Sequence, residues 1–283
     1  MIVYLNGQFV PEAEAKVSVF DRSFLYGDGV FETVRIYAGR PFLWLQHLAR
    51  LREGAKFLGI RIPISDAGFT DAAMSLIGCN AMPGSLLRIT LSRGVGRRGY
   101  SPTGADDPVL VMTAHPATDN DPAAPVCWTL ATSSFRVPAG DRLATFKTAN
   151  KLAQVLARAE AEERGADEAL LLNTDGRFAE AASSNLFWIE HGVVCTPPLA
   201  EGLLAGVTRA FVVQLARGLR LPTSERSCGP GQLQEAEGVF LTTSSLEIVP
   251  ATRLDGEPLR SSPITKQLHE AYRKAVVDLA DGA

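Results

Sequence analysis

Apolar and polar positions alternate at the start of the chain, in MIVYLNGQFV, on both sides of Asn6 and Gly7. Such alternation around Asn-Gly predicts a two-stranded hairpin, because that pair supplies the positive-φ turn that suits the twist of paired strands. GVFETVRIYAGRPFLWL holds two further strand-like runs around Ala38-Gly39. The period then changes. In LQHLARLREGAKFLGI, Leu45, Leu48, Leu51 and Ala55 recur at helical spacing. DAGFTDAAMSLIGCN predicts a second helix, and LLRITLSRG and PVLVMTAH predict strands flanking a Gly/Arg-rich loop.

PATDNDPAAP, residues 116–125, follows neither period and reads as a linker. It divides the chain into a smaller N-terminal α+β domain, 1–115, and a larger C-terminal domain, 126–283. The larger part predicts a strand, a helix within FKTANKLAQVLARAEAEERG, a hairpin EALLLNTDGRFAE across Asp175-Gly176, and a hairpin NLFWIEHGVVCTP. A helix from Val207 to Leu219, a strand GVFLTTSS and an amphipathic C-terminal helix with Leu268, Ala271, Tyr272, Val276 and Leu279 complete it. Hairpins mixed with helical crossovers predict an α+β fold, not a doubly wound parallel sheet.

The predicted helix in FKTANKLAQVLA begins with Lys147 and Lys151, four residues apart. Like charges at that spacing repel by about 0.2–0.5 kcal/mol on a helix surface. The pattern raises the question of whether one of them is a reagent and not a solvated surface group.

Composition narrows the functional classes. The 283 residues are 46% hydrophobic and 21% charged, enough to bury a core. A net charge of −3 provides no field for nucleic acid or an anionic membrane. No apolar run reaches membrane-spanning length, and the opening hairpin is unlike a signal peptide, so a soluble cytoplasmic protein is expected. Cys79, Cys127, Cys195 and Cys228, like His47, His115, His191 and His269, are scattered without metal-ligand spacing, so no metal site and no disulfide framework are expected.

Four stretches carry candidate chemistry, each with a plain alternative. LLAGVTR sets Val207 and Thr208 at a helix N-terminus, whose N–H groups suit a phosphate or are simply capped by Thr208. FLTTSS ends a strand in hydroxyls, Thr243 and Ser244 among them, that suit phosphate oxygens or an ordinary turn. Arg50 is a phosphate clamp or a surface arginine. Glu180 in RFAEAASSNLF lies on a turn or is buried against a cation, such as a protonated ring nitrogen.

Taken in order, DRSFLYGDGVFETVR, LQHLARL, FKTANKLAQVLA, GADEALLLNTDGRFAEAASSNLF, LLAGVTR and FLTTSSLEIVP resemble the fold-type-IV pyridoxal-phosphate enzymes, the class IV aminotransferase family. The resemblance covers nearly the whole chain. It implies a two-domain α+β architecture with pyridoxal 5'-phosphate between the domains, and a homodimer whose partner loops help close the site. It implies that Lys147 is the Schiff-base lysine and the general base, that Glu180 pairs with the pyridine nitrogen, and that Arg50, Val207, Thr208, Thr243 and Ser244 hold the phosphate. The substrate implied is a small amino acid or related carboxylate.

Within the family, RGY at Arg98–Tyr100 resembles the substrate loop of aminodeoxychorismate lyases, and Thr33 and Trp188 are lyase-like. Arg98 and Tyr100 are expected to bind substrate, with Thr33 assisting proton transfer. The leading expectation is therefore a 4-amino-4-deoxychorismate lyase that eliminates pyruvate and leaves p-aminobenzoate. The alternative is a transaminase for D-amino or branched-chain amino acids. A non-catalytic cofactor-binding protein on the same scaffold is a third. Lys151 stands where the lyases often have Arg, and its role and that of Arg97 stay open.

Overall fold

A computed structural model describes residues 1–280. Two units pack within themselves. The first comprises Met1–Ala117 together with Phe146–Asn150, and the second comprises Thr118–Thr145 and residues 151–280.

The first unit is built on β1 (Ile2–Leu5), β2 (Gln8–Pro11), α1 (Arg22–Tyr26), β3 (Gly29–Tyr37), β4 (Arg40–Pro41), α2 (Trp44–Leu58), α3 (Asp66–Cys79), β5 (Ser85–Ser92) and β6 (Val109–Pro116). Its six strands form one sheet in the order β2-β1-β6-β5-β3-β4, antiparallel throughout. Period 2 puts Val30, Val34, Ile36, Leu87, Ile89 and Leu91 on one face, and these pack with Leu48, Leu51 and Ala55 of α2 and Phe69 and Leu76 of α3. Leu45, grouped with that helical face by its spacing, is 72% exposed. Leu45 lies on the first turn of α2, which starts at Trp44, and the buried residues of the helix begin at His47 and Leu48.

The second unit holds β7 (Trp128–Val137), α4 (Leu152–Glu163), β8 (Glu168–Asn173), β9 (Phe178–Ala181), β10 (Asn185–Glu190), β11 (Val193–Thr196), α5 (Val207–Gly218), β12 (Thr223–Glu225), α6 (Pro230–Glu235), β13 (Gly238–Thr243), β14 (Glu247–Leu254), β15 (Glu257–Pro258) and α7 (Pro263–Ala280). Its strands form a mixed sheet, β12-β11-β10-β13-β14-β7-β8-β9, with β15 on β14. β7 pairs in parallel with both β8 and β14, and the hairpins β8–β9, β10–β11 and β13–β14 are antiparallel. Trp188 is fully buried in this unit's core, where its indole N–H reaches Glu190 at 3.1 Å. Among the described residues no helix is long and apolar enough to cross a membrane, and no group of three or more His, Cys, Asp or Glu could hold a metal ion.

The two lysines of FKTANKLAQVLA do not share a helix. α4 begins at Leu152 with Lys151 as its N-cap, and Lys147 lies upstream in an irregular segment outside any helix. The Phe31 N–H donates to the Lys147 carbonyl at 2.9 Å, the Ala149 N–H donates to the Gly29 carbonyl at 2.9 Å, and Thr148 bridges Val30. Backbone pairing with β3 wins over helix extension, and it draws Phe146–Asn150 out of the C-terminal stretch into the first unit.

Candidate active site

The face of the first sheet opposite α2 and α3 carries Phe31 and Thr33 of β3. The Lys147 Nζ lies 4.8 Å from the centroid of the Phe31 ring. The guanidinium of Arg88 lies 4.0 Å from the same centroid, and Arg88 pairs directly opposite Thr33 in the β3–β5 register. The fold thus brings Lys147 and Thr33 to one face and adds Arg88. Sequence reasoning missed Arg88. The available signal was its position in SLLRITLS, where strict alternation sets it opposite to the buried Leu87, Ile89 and Leu91. Arg88 makes no ion pair among the described residues, and a guanidinium at that ring suits a carboxylate.

Arg50 projects from α2, and its aim is set by Glu32. Glu32 lies on the core-facing side of β3, where an unpaired carboxylate is too costly to bury. The Arg50 Nε and Nη2 donate to the two Glu32 oxygens at 2.7 Å each, and the His47 Nδ1 lies 2.7 Å from Oε2. A carboxylate only accepts, so the His47 Nδ1 carries the proton. Burial pushes the Glu32 carboxyl up, but the charge and hydrogen bonds of Arg50, with those of His47, outweigh it and hold the group at about 2. Burial pulls His47 below the ordinary histidine value, with Glu32 opposing. The folded value of Glu32 lies below its unfolded one, so its contribution is complete above about pH 4.5 and is lost as pH falls through about 2. That contribution is on the order of 3 kcal/mol. Urea unfolding across that window should therefore steepen in the wild type relative to Glu32→Gln, and Glu32→Gln should be less stable at pH 7. Parallel pH profiles would remove Glu32 as the anchor of Arg50.

The loop between β5 and β6 is held by the DRSFLYGD stretch. Asp21 caps α1, accepting from Ser23 N at 2.8 Å and from the Ser92 hydroxyl at 2.5 Å, and Gly27 closes α1 at φ 68°. A side chain on Gly27 would also strike Asn150, whose Nδ2 donates to the Gly27 carbonyl at 3.0 Å. Arg22, 3% exposed, donates to the carbonyls of Gly99 at 2.9 Å, Tyr100 at 3.0 Å and Ser101 at 3.1 Å, and to Asp28 at 2.8 Å. Asp28 accepts from Arg93 as well, at 2.7 Å. Burial opposes its ionisation, yet the two arginines hold its carboxyl below the usual range. Arg97 and Arg98 are both exposed at the tip of this loop. Tyr100 is 87% exposed, with its ring edge-on to Tyr26.

In the second unit, α5 starts at Val207 and its N-cap is Gly206, which makes no side-chain cap bond. The first-turn N–H groups of Val207 and Thr208 have no acceptor within the helix, and both residues are buried. The Thr208 hydroxyl lies 3.4 Å from that of Ser244, and the Thr243 hydroxyl lies 3.1 Å from that of Ser245. A Cβ on Gly206 would fall 1.9 Å from the Asn185 Oδ1, so a larger residue there would push Asn185 off its bond to the Leu204 carbonyl. Two N–H donors and two hydroxyls at the positive end of a helix are a donor set for a phosphate. Glu180 of β9 is buried and accepts from the Leu204 N–H at 2.9 Å. Asn185 donates to the Leu204 carbonyl at 3.0 Å, so one short segment, 204–206, ties the carboxylate to the nest.

The sequence profile of the amino-transferase class IV family matches residues 29–254. The chain belongs to this family. Across it, the chain is 35% identical over 281 residues to a Methanocaldococcus jannaschii protein provisionally assigned as a branched-chain-amino-acid aminotransferase, covering 96% of each. It is 30% identical over 279 residues to a D-alanine aminotransferase of Staphylococcus aureus, covering 97% of each. Among solved structures of the family, the branched-chain aminotransferase of Thermoproteus uzoniensis with norvaline superposes with a TM-score of 0.91 at 30% identity, over 98% of this chain and 95% of that one. A second branched-chain amino acid aminotransferase, from the source abbreviated T.th. and complexed with N-(5'-phosphopyridoxyl)-L-glutamate, gives 0.88 at 30% identity, over 97% and 93%. A provisionally assigned 4-amino-4-deoxychorismate lyase of Legionella pneumophila gives 0.87 at 26% identity, over 93% and 96%. The two-domain α+β fold expected from the motifs is that of these class IV structures.

Proposed function

We propose that the protein is a pyridoxal 5'-phosphate-dependent transaminase that moves an amino group from a small amino acid to a 2-oxo acid. The observation that carries this reading is the pairing of Lys147 and Arg88 on the Phe31 ring. An amine able to act as nucleophile and base lies beside a cation able to hold a carboxylate. The relatives named for branched-chain and D-alanine transamination support it over the lyase expectation that Arg98, Thr33 and Trp188 had suggested. Trp188 is buried in the core of the second unit, and this reading gives it no role.

The cofactor, when bound, supplies an electron sink. Lys147 would hold it covalently and, once released by the incoming amine, take the proton from the substrate α-carbon. Glu180 would keep the ring nitrogen protonated. The α5 N-terminus with Thr208, Thr243 and Ser244 would hold the phosphate, with Arg50, aimed by Glu32, as a cationic partner. Arg88 would take the substrate carboxylate, and Arg98 and Tyr100 would recognise its outer part. Val19, Phe20, Phe24 and Leu25 are 46–74% exposed and continue through Tyr26 to Tyr100, an apolar surface that we assign to a second copy in a homodimer.

Spectral titration with D-alanine, D-glutamate, L-leucine and L-valine tests the reaction, because a transaminase donor converts the bound cofactor to its amine form. Arg88→Ala should raise KM for the active donor by about 10- to 150-fold, the equivalent of losing a charge-assisted carboxylate contact of about 1.5–3 kcal/mol. An unchanged KM would take Arg88 out of the substrate site. The lyase is the second reading. It is favoured by Thr33, which lies opposite Arg88 on the face that bears Lys147, where a hydroxyl could relay a proton. Equal yields of p-aminobenzoate and pyruvate from aminodeoxychorismate, with no 2-oxo acid added and no response to amino acids, would establish it instead.

A further inference from the structure

β13 and β14 pair Thr243 with Glu247, so Ser244, Ser245 and Leu246 form a three-residue hairpin loop. Short hairpins often need one residue in the left-handed region, a conformation that glycine adopts without a Cβ penalty. Here that residue is Glu247, at φ 62°. The side chain must supply what the backbone loses. The Glu247 carboxylate is buried, accepting from the Arg273 Nη1 at 2.8 Å and lying 3.0 Å from the His269 Nε2, both on α7. Arg273 is held in turn by Asp119 at 3.0 Å. Asn120 donates to the carbonyls of Leu246 and Ile248, on either side of Glu247, while its own Oδ1 accepts from Val126 N at 2.8 Å. The closing residue of the turn is therefore gripped through its side chain by α7 and through its neighbours by Asn120. The far end of the same turn carries Ser244, whose hydroxyl faces Thr208.

We propose that Glu247 is a positioning residue for the phosphate. By fixing the turn from behind, it sets the hydroxyls of Thr243 and Ser244 against the N-terminus of α5. The inference rests on pyridoxal 5'-phosphate being the ligand of this nest. The competing role is purely structural, with Glu247 only fastening α7 to the sheet.

Pyridoxal, which lacks the phosphate, separates the two roles. Glu247→Gly removes the side chain while allowing the left-handed backbone. Imine formation is followed by visible absorbance with pyridoxal 5'-phosphate and with pyridoxal, at a temperature well below the unfolding transition of the apoprotein. Kd for pyridoxal 5'-phosphate should rise at least about tenfold, with Kd for pyridoxal within about twofold of wild type. Arg273→Met, which leaves the Glu247 backbone untouched, should move the ratio in the same direction and keeps the test available if Glu247→Gly does not fold. Arg273→Lys should restore part of it. Equal losses for both ligands in either variant, or none, overturn the inference. A wild type that shows no preference for the phosphorylated ligand overturns the cofactor assignment itself, and the positioning role with it.

Discussion

Lys147→Ala should abolish turnover, by at least about a thousandfold, and leave the fold standing. The two halves of this expectation have separate causes. The fold depends on the backbone of the segment, which bonds β3 through Phe31 N and Ala149 N, and on the Thr148 bridge; alanine keeps all three. Phe146 adds a stacked contact with Phe57, ring centroids 4.4 Å apart. On this reading turnover needs an amine at this spot, and Lys147 is the lysine that the described residues place at the Phe31 ring. Borohydride reduction of the loaded wild type followed by peptide mapping should leave the pyridoxyl group on Lys147. Recovery of the label on Lys151, the N-cap of α4, would overturn the assignment.

Glu180→Gln should lower turnover by about 10²- to 10³-fold with little change in the amount of cofactor bound. Glutamine preserves the shape and can still accept from Leu204 N, so the 204–206 segment and the phosphate nest should hold. It lacks the negative charge that keeps a ring nitrogen protonated, and the loss should fall on kcat more than on cofactor affinity. Steady-state rates with the donor identified by spectral titration, beside a cofactor titration, measure both. Near-normal kcat would leave Glu180 a buried acceptor for Leu204 with no part in the chemistry.

Much of this architecture is legible in the chain. The Asn6-Gly7 and Asp175-Gly176 hairpins announce themselves by turn chemistry. α7 is marked by Leu268, Tyr272 and Val276, all buried as their spacing implies. α1 is not legible by period, since five residues complete barely more than one turn. Its signals are local: Asp21 as cap, and Gly27 as the left-handed stop. The pairing of Phe146–Asn150 with β3 is hidden for a different reason. Its partner is β3, more than a hundred residues upstream, and no local pattern reports a pairing at that distance. Glu32 and Arg88 were legible as anomalies. Each is a charge in the middle of an apolar strand, one on the core face, where it required Arg50 and His47, and one on the opposite face. Thr208 and Ser244, 36 residues apart, were both nominated from sequence, but only the fold shows that their hydroxyls meet.

The hold of Arg22 on the loop at Gly99–Ser101 has an evolutionary consequence. From this loop the guanidinium reads three carbonyl oxygens and no side chain, its Nε being taken by Asp28, and every amino acid has a carbonyl. Residues at the tip can therefore be exchanged without loosening the anchor, so long as the backbone path is kept. Arg97, Arg98 and Tyr100 are in this sense free letters on a fixed line. A lineage could rewrite them for a new substrate in single steps, each compatible with an intact protein, while the DRSFLYGD stretch that grips the line stays constant.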